Sequence, residues 1–103
     1  MPLVARDLVE FDTKLTADVV EWRPVEDSTT LACGTYFLDK ERNQRLGCLY
    51  LFEYDLQGQL SMTDKVDFSD SGILDLKWLS QDLMLTVDSV NNVDLLEYDA
   101  QTR

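Results

Sequence analysis

Histidine is absent from this chain, and with it goes any Ser-His-Asp or Cys-His dyad, and any zinc site that uses an imidazole, within these 103 residues. Cysteine is scarce: Cys33 and Cys48 both fall inside β-like segments without metal-ligand spacing, which fits reduced, half-buried thiols and encodes no zinc site. Basic residues are few, 9 Lys and Arg against 20 Asp and Glu, and the formal charge of -11 repels phosphate backbones and anionic lipid surfaces. Nucleic acid and membrane are therefore poor partners, and a cationic ligand or a basic protein surface is the electrostatic match. Long apolar runs are missing too. No stretch approaches the roughly 20 residues of a membrane span, and Met1 to Asp7 lack the apolar region of a signal peptide, so the expectation is a soluble, intracellular chain.

What remains is sufficient for a fold. Hydrophobic residues make up 45% and aromatics 10%, well above a disordered acidic segment. A chain of this length supports one modest core, since folding hides only about 60–65% of the surface that the unfolded chain exposes.

Short β-like runs broken by turn residues recur along the chain and predict an all-β protein with eight strands. They are Leu8 to Thr13, Val19 to Arg23, Thr30 to Phe37, Gly47 to Tyr54, Leu60 to Phe68, Ile73 to Leu79, Leu83 to Val87 and Val93 to Tyr98. Pro24 stops the second, because proline cannot donate to a ladder. The charged stretch Asp39 to Arg45 is a solvated loop; Leu56 to Gln59 and Ser69 to Gly72 are tight turns. A helical reading of Ile73 to Leu85 rests on leucine content, but Ser71-Gly72 and Ser80-Gln81-Asp82 favour two strands and a turn.

Leu8-Val9-Glu10-Phe11-Asp12, Leu51-Phe52-Glu53-Tyr54-Asp55 and Leu95-Leu96-Glu97-Tyr98-Asp99 share a pattern whose aromatics stand 43 and 44 residues apart. That interval lies within the about 40–45 residues of a WD repeat. Trp22 and Trp78 each close a strand that follows a polar turn, and with Tyr54 and Tyr98 they are the expected structural core. The reading is an incomplete WD-repeat β-propeller of about two antiparallel four-stranded blades, its ring not closed. Residues 8–13 serve as the outer strand of a ring-closing blade, 19–68 as the first blade and 73–99 as an incomplete second blade. A small free-standing β-sandwich is the plain alternative.

Four stretches carry a resemblance to a known family. They are Asp12 to Trp22 (Leu15-Thr16-Ala17-Asp18 with Glu21-Trp22), Leu31-Ala32-Cys33-Gly34-Thr35-Tyr36, Arg45-Leu46-Gly47 leading into Leu49-Tyr50-Leu51, and Ile73-Leu74-Asp75-Leu76-Lys77-Trp78. In that order they resemble the amino-terminal part of the diphthine methyl ester hydrolases, also called diphthine methyltransferases, WD-repeat proteins of diphthamide biosynthesis. The resemblance implies a cytoplasmic propeller that removes a methyl ester from the modified histidine of translation elongation factor 2, with no cofactor; some relatives are connected with endosomal recycling. Family members continue for several more blades, so this chain is expected to be a truncated piece, or to pair its open sheet edges with another copy.

Ester hydrolysis needs an activated nucleophile or a positioned water, a base and oxyanion donors. Without histidine the base would be a carboxylate or come from further blades, and catalysis by this chain alone is not expected. Asp18, Asp70 and Ser71, with the Asp39 to Arg45 loop, fall on one propeller rim, where the resemblance implies a substrate bearing a trimethylammonium cation. The plain reading of those aspartates is that they cap turn amides. Cys33 is a conceivable nucleophile, but no cationic neighbour in sequence would activate it. Gly34 and Gly47 fit close backbone approach. The alternative function is a non-catalytic scaffold that binds a basic protein surface.

Overall fold

The computed structural model describes residues 8–99, which form seven strands and no helix: β1 (Thr16–Trp22), β2 (Thr30–Asp39), β3 (Gln44–Tyr54), β4 (Leu60–Ser69), β5 (Ile73–Trp78), β6 (Leu83–Asp88) and β7 (Val93–Glu97). Every pairing is antiparallel and follows chain order, giving a four-stranded sheet β1-β2-β3-β4 and a three-stranded sheet β5-β6-β7. The expected all-β class holds, with two meandering sheets and no closed barrel, consistent with an incomplete propeller-like arrangement. Residues 73–85 form two strands around a turn, as the Ser and Gly signals favoured.

One expected strand is not there. Residues 8–13 carry no strand, because the segment is turned before it can extend. Asp12 Oδ1 accepts the Lys14 amide at 2.9 Å, and Lys14 adopts φ 67°, a break that an alternating pattern does not reveal. The segment lies instead across the first sheet: Phe11 packs edge-on against Tyr50 and Phe52, and the Tyr50 hydroxyl donates to the Thr13 carbonyl at 3.0 Å.

Strand β3 shows why the first sheet is buried on both faces. Its side chains alternate, so Leu49 and Leu51 enter the core between the sheets with Ala32, Ile73, Leu76, Trp78, Met84 and Tyr98. Cys48, Tyr50 and Phe52 face the other way, with Cys33, and Leu15, Leu31 and Leu60 pack against them. The inner strands bring the sheets together, β5 packing against β1, β2 and β3, whereas β4 and β7 do not touch. The two sheets are thus splayed like a wedge.

Glycines set the closeness of that approach. A Cβ on Gly34 would lie 2.4 Å from Ile73 Cγ2, and one on Gly47 would lie 2.4 Å from the Gly72 Cα. Ile73 is fully buried as a result. At the far end, the Trp78 indole N–H donates to the Glu21 carbonyl at 3.2 Å. Arg23 there donates to the Gln81 carbonyl, pairs with Asp82 at 3.2 Å and lies over the Tyr98 ring.

The repeat is visible in the backbone. Asp18 is the extra residue of a bulge in β1 and Leu74 that of a bulge in β5, each four positions before its tryptophan. Burial does not repeat. Trp78 and Tyr98 are buried and meet edge-on, but Trp22 is 50% exposed and Tyr54 36% exposed, which corrects the expectation of a shared core role. The reason is geometric: Trp78 faces the first sheet, and no described sheet stands on the corresponding side of Trp22.

Two substitutions separate close packing from polar satisfaction. Gly47→Ala forces backbone against backbone and is expected to lower stability by about 1–3 kcal/mol. Thr86 carries a buried hydroxyl without a partner among the described residues, so Thr86→Val is expected to raise stability by roughly 1 kcal/mol. Urea unfolding midpoints measure both; equal shifts of one sign would contradict this packing.

Candidate functional site

Antiparallel register gathers the start of β1, the β2–β3 hairpin, the β4–β5 connection and the β6–β7 turn at one end of the sheets. This rim is dense in acid. Asp39 accepts the amides of Glu41 and Arg42 and pairs with the Arg42 guanidinium at 3.7 Å, closing the hairpin. Asn43, Asp70 and Asn91 take φ values of 50°, 61° and 72°, which short polar side chains tolerate.

The structure gives two of the three expected rim residues partners of their own, in separate contacts. Gln44 Nε2 donates to Asp70 Oδ1 at 3.1 Å, linking hairpin to connection. Ser71 is buried beside the Asp88 carboxylate and hydrogen-bonded to it. Gly72 and Ser89 exchange two bonds at 3.0 Å, Gly72 N–H to Ser89 Oγ and Ser89 N–H to the Gly72 carbonyl. Asp18 lies apart, exposed on its bulge and sharing a shallow depression with Ala17, Val19, Val20 and Cys33.

Asp88 was not singled out in the sequence, yet it organises this rim. Its Oδ1 accepts the amides of Val90 at 3.0 Å and Asn92 at 2.9 Å, and its Oδ2 accepts from the Asn92 side chain at 3.3 Å. Burial pushes the carboxyl pKa up, but the Asn92, Val90 and Ser71 hydrogen bonds outweigh it and hold it below the ordinary value. A carboxylate so held is a poor base near neutrality, and Ser71 beside it is a positioned structural hydroxyl. The spacing Asp88-Ser89-Val90-Asn91-Asn92 is the usual signature of an aspartate capping a turn.

A second cluster lies on the opposite face of the first sheet. Cys48 Sγ donates to Asp67 Oδ1 at 3.1 Å, Lys65 pairs with Asp67 at 3.4 Å, and the Lys65 ammonium stands over the Tyr50 ring. A depression lined by Leu15, Leu46, Gly47, Cys48, Asp67 and Phe68 opens beside it. Burial, then the Asp67 hydrogen bond, raises the Cys48 pKa; burial, then the Asp18 charge, raises that of Cys33. Neither thiol is activated. Alternation along β3 could have placed Cys48 and Tyr50 on one face, but the β3–β4 register that brings Asp67 and Lys65 is a tertiary fact.

Two outcomes follow from these groups. Since the Asp88 pKa is depressed, its contribution is present above the ordinary carboxylate range, about pH 4, and disappears as pH falls through its lower native value. Asp88→Asn is expected to cost about 1–2 kcal/mol at pH 7 and progressively less below about pH 4; a pH-independent difference in urea midpoints would contradict this. Both thiols are expected to react with a disulfide reagent far more slowly in the native protein than in urea, read by absorbance of the released thiolate.

No protein-family profile matches the sequence, and no solved structure matches it either. Curated proteins do match. The chain is 44% identical over 85 residues to diphthine methyltransferase of Mus musculus, covering 71% of this chain and 18% of that protein. It is 37% identical over 86 residues to diphthine methyltransferase of Homo sapiens, covering 65% of this chain and 19% of that one. It therefore spans less than a fifth of the length of either relative. Over most of the described fold, the chain is thus similar to a part of two proteins named diphthine methyltransferase.

Proposed function

We propose that this chain is part of a cytoplasmic WD-repeat protein that removes the methyl ester from methylated diphthine on translation elongation factor 2, in diphthamide biosynthesis. The observation that carries the reading is the identity to two proteins named diphthine methyltransferase, 44% and 37% over about 85 residues. The rim supports it on physical grounds. Asp39, Asp70 and Asp88 line one end of the sheets, and the field of a chain at -11 attracts a fixed trimethylammonium cation and the basic surface around it. The chemical step is assigned to residues outside this chain, because it has no histidine, its thiols are held protonated and Ser71 is bonded to a carboxylate that is a weak base. The contribution proposed for this part is to build a wall of the propeller and shape the substrate-facing rim.

The same lack of an activated group favours a second reading, a scaffold that holds a basic protein without chemistry. A chimera separates the two. This chain replaces the matching stretch of the Mus musculus protein, and the product is incubated with methyl-esterified elongation factor 2. Loss of one ester methyl by mass, at a rate within about tenfold of the parent, a difference of roughly 1.4 kcal/mol in barrier, is the expected result. A folded chimera that retains elongation factor 2 but leaves the ester intact supports the scaffold and overturns the hydrolase reading.

A further inference from the structure

The two ends of the sheets differ in what their turns expose. The rim that holds Asp70 and Asp88 offsets its acids with Lys40, Arg42 and Arg45, all on the β2–β3 hairpin. The opposite end is made of the β1–β2 loop (residues 23–29), the β3–β4 turn (55–59) and the β5–β6 turn (79–82). Hydrogen bonds knit these three into one surface. The Tyr54 N–H donates to the Thr29 carbonyl at 2.9 Å and the Thr29 hydroxyl donates to Glu53, which joins the loop to the β3–β4 turn. Arg23 donates to the Gln81 carbonyl at 2.6 Å and pairs with Asp82 at 3.2 Å, which joins the loop to the β5–β6 turn. Blades of a propeller stack face against face around a central channel and leave the turns at both ends open, so this end stays at the surface in a longer ring as well.

An apolar side chain stands at the tip of this end. Asp55 Oδ1 accepts the amides of Gln57 at 3.0 Å and Gln59 at 2.8 Å, and Gly58 takes φ 80°. Asp55 and Gly58 thus set the turn, and Leu56 between them is 99% exposed. Leu79, on the β5–β6 turn, is 54% exposed. The charge around these leucines selects the occupant. Glu26, Asp27, Asp55 and Asp82 are exposed on the same turns, whose one base, Arg23, is already engaged by Gln81, Asp82 and the Tyr98 ring. We propose that this end of the sheets docks a basic segment of a partner protein, whose apolar side chains close over Leu56 and Leu79 while its lysine or arginine side chains answer Glu26, Asp27 and Asp55. A second copy of this chain is the poorer occupant, since each copy carries -11 and like charge opposes close approach. The surface is independent of the ester-removing reading, as it lies at the end remote from Asp39, Asp70 and Asp88.

The test uses the full 103-residue chain and a short fluorescent peptide of alternating lysine and leucine. Saturable binding by anisotropy is expected, with the largest backbone amide shifts in residues 24–29, 55–59 and 79–82. Leu56→Ser is expected to weaken binding about tenfold. Glu26→Gln combined with Asp27→Asn is expected to weaken it about threefold or more; asparagine tolerates the φ of 53° at that position. Both variants alter exposed turn residues, so the amide spectrum of the core stays unchanged. Leu95→Ser changes a leucine that is 60% exposed on β7, away from these turns, and is expected to leave binding as it is. Equal binding of a lysine–serine peptide would reduce the effect to bulk charge, and equal binding of a glutamate–leucine peptide would remove the role of the acid; either overturns the proposal. So would an equal loss from Leu95→Ser, shifts centred on the β2–β3 hairpin, a self-associated dimer through these turns, or no saturable binding.

Discussion

Ile73 is completely buried because Gly34, across the interface, has no side chain. Burying an isoleucine contributes about 1.5–3 kcal/mol, and here the gain depends on a backbone approach that any Cβ would prevent. Gly47 and Gly72 allow a second such approach at the rim. These contacts bring β5 onto the first sheet, and the remaining architecture follows from that placement. Leu76 and Trp78 enter the core, the Trp78 indole reaches the Glu21 carbonyl, and Arg23 locks the far end over Tyr98.

The wedge that results explains both what is covered and what is open. Inner strands meet and outer strands part, as in the blades of a propeller, so Ile73, Leu76 and Trp78 between the sheets are dry and Val66, where the sheets part, is not. The first sheet's other face is partly sheltered by the chain's own residues 11–15, through Phe11 and Leu15. Trp22, Leu74, Val93 and Leu95 are exposed on surfaces that a neighbouring sheet would cover in a longer propeller. The acidic rim collects its charge for a different reason: tight turns use aspartate and asparagine to cap amides and tolerate positive φ, and register brings those turns together.

Much of this was legible from residue order. Strands and turns could be read from β-branched and aromatic runs bounded by Gly, Pro, Asn and Asp, and seven of the eight expected strands are present with ends shifted by a few residues. The missing one, Leu8 to Thr13, failed because an Asx turn at Asp12 overrides alternation, an interaction local enough to be missed by pattern alone. Repeated aromatics indicated repeated strands but not repeated burial, since burial depends on what stands opposite and differs for Trp22 and Trp78. Of the rim residues, Asp70 bonds to Gln44 and Ser71 to Asp88 while Asp18 lies apart on its bulge, and Asp88, which caps the β6–β7 turn, is recognisable only once β6 and β7 are aligned. The Cys48, Asp67 and Lys65 cluster required the β3–β4 register.

The account rests on face-to-face packing of two successive meanders, and one nuclear magnetic resonance measurement reaches it directly. A nuclear Overhauser contact between the Ile73 γ2 methyl and the Gly34 α protons is the predicted result. An Ile73 methyl with solvent contacts alone, in a chain that still shows the β1–β4 ladder, would contradict it.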